Sequence, residues 1–361
     1  MHSFIETSLT RPWTTCSAMI HRLPVEILQA IFLLAVDNGP DCPSIFSYEA
    51  TTISANFASP PLLFTRVCHH WRDVARSTPE IWSRIEVKLP PVSVKPLTPF
   101  FTSLLQFWLA QSDNLPLTIH MASNYSSWDG NSRLLEILCN ETRRWETVIG
   151  FAPAFDSSDN FNTPQLRTLD PIWDLSNLTK FNAPKLCRVR ICSLYDNILS
   201  LRPNAACGNI RHLCLHQTSV NRIHYFPDIF PRLETLDVRL LQIAPDYVLD
   251  MENHSDTYSC LESMTLPFVH GPPDMYAMIF RGHHFPALQE LILLVGAGKP
   301  EVEMITEALA VAGSCNIRVV DFWLHKSRMD LYVPTLKQLL SVAQEVAVRG
   351  EVVVRREQSG P

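Results

Sequence analysis

The stretch VCHHWRDVA, residues 67–75, gathers a cysteine, two histidines and an aspartate within nine positions. A metal site would need three or four such ligands converging on one point, and a nucleophilic site would need a cysteine beside an imidazole. Neither arrangement follows from this spacing. Adjacent residues on a helix point about 100° apart, so His69 and His70 cannot readily share an ion, and no third ligand stands at HxxxH or HExxH spacing. The second pair, His283 and His284 in GHHFPAL, lacks a third ligand too and reads as the turn leading into a strand. The ten cysteines contain no CxxC, and no GxSxG, GxGxxG or GxxxxGK[ST] occurs. The residues predict no metal, no cofactor and no catalytic centre.

Composition narrows the remaining classes. Apolar residues make up 46% of the 361 positions and charged residues 18%, which describes a folded chain with a large core. The net charge of −6 arises from 30 basic and 36 acidic residues without a basic block, which argues against nucleic acid as partner. Cysteines such as Cys187 and Cys214 lie inside apolar strand-like runs, as small buried thiols in a reducing compartment do. The longest apolar run, ILQAIFLLAV at 27–36, is too short to span a bilayer, and no secretory h-region precedes it. The expectation is a soluble protein of the cytoplasm, the nucleus or both, without a membrane partner. The glycosylation sequons at Asn124, Asn140, Asn177 and Asn253 are then chance matches.

The elements that hold the histidine-bearing stretch are more informative than the histidines. In LPVEILQAIFLLAV (23–36) Pro24 and Glu26 suit a helix start, and apolar residues then occupy most of the circumference. Such a helix needs cover on more than one side, from its own domain or from a partner. Residues 37–60 are polar and proline-bearing and read as a long loop. Helical rhythm returns in PLLFTRVCHHWRDVA, where Leu63, Val67, Cys68, Trp71, Val74 and Ala75 share one face. A short helix at PEIW follows, with Thr78 as cap and Pro79 in the first turn.

The ordered set LPVEIL (23–28), VCHHWRDVA (67–75) and PEIW (79–82) resembles an F-box, in the style of the F-box-like proteins abundant in mushroom-forming fungi. The resemblance covers Leu23 to about Val87. It implies a small all-α three-helix module that docks on the Skp adaptor of an SCF-type, cullin–RING ubiquitin ligase. Carried over to this chain, Leu23, Pro24, Ile27, Leu28 and Ile31 form the first docking helix. Leu63, Val67, Trp71 and Trp82 build the core and the second contact surface. The segment 37–60 is much longer than the box allows between its first two helices. It is either a tolerated surface insertion or a sign that adaptor binding has been lost.

Beyond a proline-rich linker at 88–99, the chain alternates helix-like and strand-like runs: 100–112 helical, 115–121 a strand, 132–145 helical. A unit of the form apolar-x-x-apolar-x-apolar then recurs, often behind a proline: PQLRTLD, PKLCRVRI, NIRHLCL, PRLETLDV, CLESMTL, PALQELIL and NIRVVDF. Its first apolar residues, at 166, 186, 210, 233, 261, 288 and 317, are separated by 20 to 29 residues, the period of leucine-rich repeats. The expected fold class is therefore α/β, with the helical module at 23–87 followed by a curved leucine-rich-repeat-like solenoid of parallel strands over 100–361. Residues 334–350 read as a closing helix and EVVVRR as a capping strand, while 1–22 form a tail.

In such strands the residues between the inward pair face the concave surface. Those are Arg188, Arg190, His212, His216, Asp237, Arg239, Asp321 and Trp323, with Thr235, Ile292 and Leu294 among them. Mixed charge beside apolar positions suits a protein substrate. The predicted role is that of a non-catalytic specificity subunit for protein degradation, with the box on the adaptor and the solenoid on the substrate. The alternative is a scaffold of the same fold that no longer binds the adaptor.

Overall fold

The computed structural model describes residues 23–37, 42–49, 52–89, 98–123, 132–150, 160–172, 175–192, 207–242, 256–268, 279–280, 283–295, 306, 317–323 and 336–356. The tail at 1–22 and most of the expected linker lie outside them. The chain is mixed α/β and divides into two compact units, Met1–Leu138 and Cys139–Pro361.

The first unit begins with α1 (Val25–Asp37), whose Leu28, Phe32 and Val36 form a buried stripe at i, i+4, i+8. The expected continuous helix over 61–75 is broken into α2 (Phe64–Val67) and α3 (His69–Arg76). Cys68 is extended there, and its Sγ accepts the N–H of Trp71, so the cysteine caps α3. Arg72 Nε donates to the Thr65 carbonyl across the break at 2.7 Å. Phe32 stacks on Phe64 at 4.1 Å and meets Trp71 edge-on at 5.1 Å, which ties the three helices together.

The segment expected to be a loop at 37–60 contains an antiparallel hairpin, β1 (Phe46–Glu49) with β2 (Thr52–Ala55). Its lead-in runs beside β3 (Arg84–Leu89): Ile45 N–H donates to the Glu86 carbonyl and Glu86 N–H to that of Pro43. Cys42, Ile45, Phe46 and Ala55 are buried. Polar composition suggested a loop, but four apolar residues placed against a strand edge were enough to fold it.

The turn at Pro79–Trp82 delivers Trp82 to the middle of this unit. Its indole N–H reaches the Ala75 carbonyl at 2.8 Å, and its own carbonyl accepts Trp108 Nε1 at 2.9 Å. Trp108 belongs to α4 (Thr98–Gln111), which buries Phe101, Leu105, Trp108 and Leu109 at helical spacing. This helix connects β3 to the parallel β4 (Leu117–Ser123), with Ile85 beside Ile119 and Val87 beside Met121, all buried. The tryptophan pair thus places α4 with the helices before it, and the division of the chain falls at α5 (Ser132–Cys139) rather than at 88–99.

The second unit is built on parallel strands that pair in chain order: β5 (Trp145–Ile149), β7 (Thr168–Ile172), β9 (Arg188–Ile191), β10 (His212–Ser219), β11 (Thr235–Gln242), β13 (Ser263–Phe268), β15 (Glu290–Val295), β16 (Val319–Phe322) and β17 (Glu345–Val348). All seven first apolar residues of the recurring unit are buried, as are the second ones, Leu169 to Val320. In register these become apolar rows, such as Val189–Leu213–Leu236–Met264–Leu291–Val320–Val346. Two strands, β5 and β17, carry Trp145 and Ala343 at the first position and so escape a search for LxxLxL.

Proline has a defined task here. Pro164, Pro184, Pro231 and Pro286 each occupy the second position of a turn closed by the N–H of Leu166, Leu186, Leu233 and Leu288 on the carbonyl three residues back. Their fixed φ suits that corner, which aims the next strand. Short parallel pairs accompany them: β6 (Phe161–Asn162) with β8 (Phe181–Asn182), just before the turns at Pro164 and Pro184, and β12 (Asp256–Thr257) with β14 (His283–His284), the latter just before the turn at Pro286. His283 therefore faces inward and His284 outward, as neighbours in a strand do. Behind the strands lie α6 (Val220–Ile223) and α7 (Phe226–Ile229), which bury Val220, Ile223, Phe226 and Ile229.

The closing helix expected at 334–350 is instead a 3₁₀ turn at Lys337–Ser341 followed by β17, which folds back on β18 (Glu351–Arg355). The two-residue loop Arg349–Gly350 has positive φ at both positions, the geometry that joins twisted antiparallel strands most tightly. The β-branched residues of EVAV and EVVV prevailed over the helical reading of the residues before them.

Alternating burial makes a direct prediction. Leu236→Ala should lower urea stability by about 2–5 kcal/mol, whereas Arg239→Ala, on the outer face three strand positions on, should stay within about 0.5 kcal/mol. Equal losses in urea denaturation would contradict the assignment of faces.

Candidate interaction surfaces

In the first unit the apolar circumference of α1 is only partly used. Leu28, Phe32 and Val36 are covered, while Ile27 is 48% exposed, Ile31 43% and Leu34 60%. These three lie at i, i+4, i+7 and make a second apolar stripe. On α2, which the Phe32–Phe64 stack holds against α1, Val67 is 51% exposed, and Leu63 just ahead of the helix is exposed too. Of the predicted docking residues, Ile27, Ile31, Leu63 and Val67 thus present surface, together with exposed Pro24 and half-buried Leu23 and Trp71. Leu28 and Trp82 are fully enclosed by their own unit and have no surface to offer. Leu34 was legible as the next position of the stripe after Ile31.

The histidines of VCHHWRDVA contribute nothing to that stripe. His69 pairs with Asp73 at 2.7 Å on the exposed side of α3, and His70 is half-buried. Among the described residues no group of three His, Cys, Asp or Glu side chains is placed to hold a metal ion.

In the second unit, the residues between the buried apolar pairs share the other face of the sheet. Arg188 is beside His212, which is beside Thr235; one step along the strands, Arg190, Cys214 and Asp237 form the next row. His212 Nδ1 lies 2.9 Å from Thr235 Oγ1. Arg190 pairs with Asp170 at 3.2 Å and Arg239 with Asp237 at 2.6 Å, while Cys214 Sγ donates to Asp237. Burial works against the charge of Arg190, but Asp170, Cys214 and Asp237 together outweigh it and hold the guanidinium above its ordinary value. Burial and then Asp237 push the Cys214 thiol up, so it stays protonated and a poor nucleophile.

His216 and Arg239 are exposed at the ends of these rows, and the side chains of Thr235, Ile292 and Leu294 are half-buried. Trp323 is 52% exposed, several strands away on the turn after β16. Asp321 departs from its predicted role. It is only 6% exposed, and one carboxylate oxygen accepts both Trp323 Nε1 and the Gly350 N–H. That oxygen anchors the β17–β18 turn, so Asp321 is a structural residue rather than a contact residue.

His212 provides the pH-sensitive group of this face. Burial, and then the neighbouring Arg188, hold its imidazole below the ordinary value, with Glu234 pulling the other way. The unfolded chain accepts a proton that the folded chain resists, so this contribution to stability is full at neutral pH. It declines as pH falls through about 6.5 toward the lowered folded value. His212→Gln should flatten the pH dependence of the urea midpoint in that window, and Arg188→Gln should raise the His212 titration midpoint seen by NMR. A midpoint that stays put or falls in Arg188→Gln would contradict the assignment.

No protein-family model matches the chain, and no curated protein matches it.

Proposed function

We propose that this protein is a substrate-recognition subunit of an SCF-type ubiquitin ligase. The N-terminal unit docks on the Skp adaptor, and the C-terminal unit, a leucine-rich-repeat-like solenoid, holds a protein substrate. The observation that carries the reading is the second apolar stripe of α1. A helix of thirteen residues that covers Leu28, Phe32 and Val36 internally, yet leaves Ile27, Ile31 and Leu34 in solvent, is built to be covered by something else. The residues that carry the F-box resemblance supply the identity of that partner, and the LxxLxL period with its buried registered rows supports the solenoid. No catalytic group is required of this chain, since its contribution is to position one protein beside another.

The competing reading, a scaffold without the adaptor, rests on the insertion between α1 and α2. Its apolar residues Ile45 and Phe46 are buried beside β3 and α4, and the exposed stripe of α1 stays open. This favours the docking reading.

Because Ile27 and Ile31 are exposed, Ile27→Asp with Ile31→Asp should leave the thermal midpoint of the protein near that of wild type. Capture of purified Skp adaptor should weaken by about 2–4 kcal/mol, the scale of interface hot spots. Wild type that captures no adaptor, or a double variant that captures it equally well, would end the ligase reading in favour of the scaffold.

A further inference from the structure

The ends at which the parallel strands begin carry a second surface. Residues just ahead of β7, β9, β10 and β11 enclose a groove of about 600 Å³. Its charged lining is four cations, Arg167, Lys185, Arg211 and Arg232, against the single carboxylate of Glu234, with His212 at the margin. That local excess stands out on a chain whose net charge is −6.

The ladder of turns aligns these side chains. Backbone bonds link Arg167, Cys187, Arg211 and Glu234 in one row, since the Cys187, Arg211 and Glu234 N–H groups each donate to the carbonyl of the preceding member. Two residues earlier, Gln165, Lys185, Asn209 and Arg232 form a parallel row, with Lys185 Nζ on Gln165 Oε1 at 2.6 Å and Arg232 Nη1 on Asn209 Oδ1 at 3.1 Å. Arg167 and Arg211 each meet a carboxylate, Glu146 at 3.3 Å and Glu234 at 3.0 Å. Among the described residues Lys185 and Arg232 meet only neutral amide oxygens, so their charge is available to a ligand.

The spacing says what kind of ligand. Lys185 and Arg232 lead into β9 and β11, two strand intervals apart, roughly 10 Å along the edge. One compact anion covers less than that, whereas an extended peptide places side chains on one face about 7 Å apart and offers several carboxylates in line. The same edge turns acidic immediately beyond, because the next member of the row after Glu234 is Glu262, whose carbonyl receives the Gln289 N–H. An acidic segment is thus attracted over β7 to β11 and repelled past β13.

We propose that this groove binds an acidic, Asp/Glu-rich segment of a partner protein, lying across the strand ends from the Arg167 side to Arg232. The inference rests on the reading of the C-terminal unit as the substrate-holding part and specifies the chemistry of what it holds.

The test uses the full chain and fluorescein-labelled decapeptides in anisotropy titrations: one rich in Asp and Glu, its Asn/Gln counterpart, one neutral peptide with a single phosphoserine, and an oligothymidylate decamer. The acidic peptide should bind most tightly, and Lys185→Glu with Arg232→Glu should weaken it on the order of tenfold or more. Equal binding of the acidic peptide by the variant, or tighter binding of the phosphoserine peptide or the oligonucleotide by wild type, would overturn the proposal. The variant with Ile27→Asp and Ile31→Asp should bind the acidic peptide as wild type does, and Lys185→Glu with Arg232→Glu should still capture the Skp adaptor. Failure of the groove and failure of adaptor docking are thereby read separately.

Discussion

A short strand with an apolar residue at every second position leaves two kinds of group unsatisfied, its inner side chains and the peptide groups along both edges. One parallel neighbour on each side meets both needs, and the second unit of this protein is the repetition of that solution. The buried row through Leu213, Leu236 and Met264 and the buried pairs Leu215–Val238 and Leu266–Leu293 are its result. Everything on the outer face, including the pairs Arg190–Asp170 and Arg239–Asp237, is held in place by that inner registry. Surface ion pairs of this kind add little stability of their own. They define the chemistry of a surface whose geometry the core has already set.

The turns contribute the second ingredient. A proline at the corner and an apolar residue after it, as in Pro184–Lys185–Leu186 and Pro231–Arg232–Leu233, leave one outward position between two constrained ones. That middle position is free to vary without disturbing the core, and here it carries Gln165, Lys185 and Arg232. Registry in the interior thereby becomes a row of chosen charges on the rim. The first unit uses a different arrangement: Trp82, enclosed and bonded to Ala75 and by Trp108, fixes the helices so that one stripe of α1 is spent on the interior and another is left over.

The legibility of these features in the sequence followed from how far apart the deciding residues lie. The recurring LxxLxL unit was readable because its signal is local and repeats, and the parallel arrangement came with it. The apolar excess of residues 27–36 was readable too, and the exposed Ile27, Ile31 and Leu34 account for part of it. The hairpin at Phe46–Ala55 was hidden because its folding depends on an edge supplied by Arg84–Leu89, about forty residues on. Cys68 as a helix cap was hidden inside an apparently continuous periodicity. Asp321 looked like a surface residue because alternation places it outward, and only the later turn at Gly350 covers it. The basic groove escaped notice because Lys185 and Arg232 are 47 positions apart and become neighbours only through the ladder.

The proposed division of labour between the two units is open to one direct measurement, hydrogen–deuterium exchange of the full chain with and without purified Skp adaptor. Slowed exchange is expected in peptides covering Val25–Asp37 and Leu63–Val67, with β9, β10 and β11 unchanged. Protection confined to those strands, or none at α1 under saturating adaptor, would contradict that division.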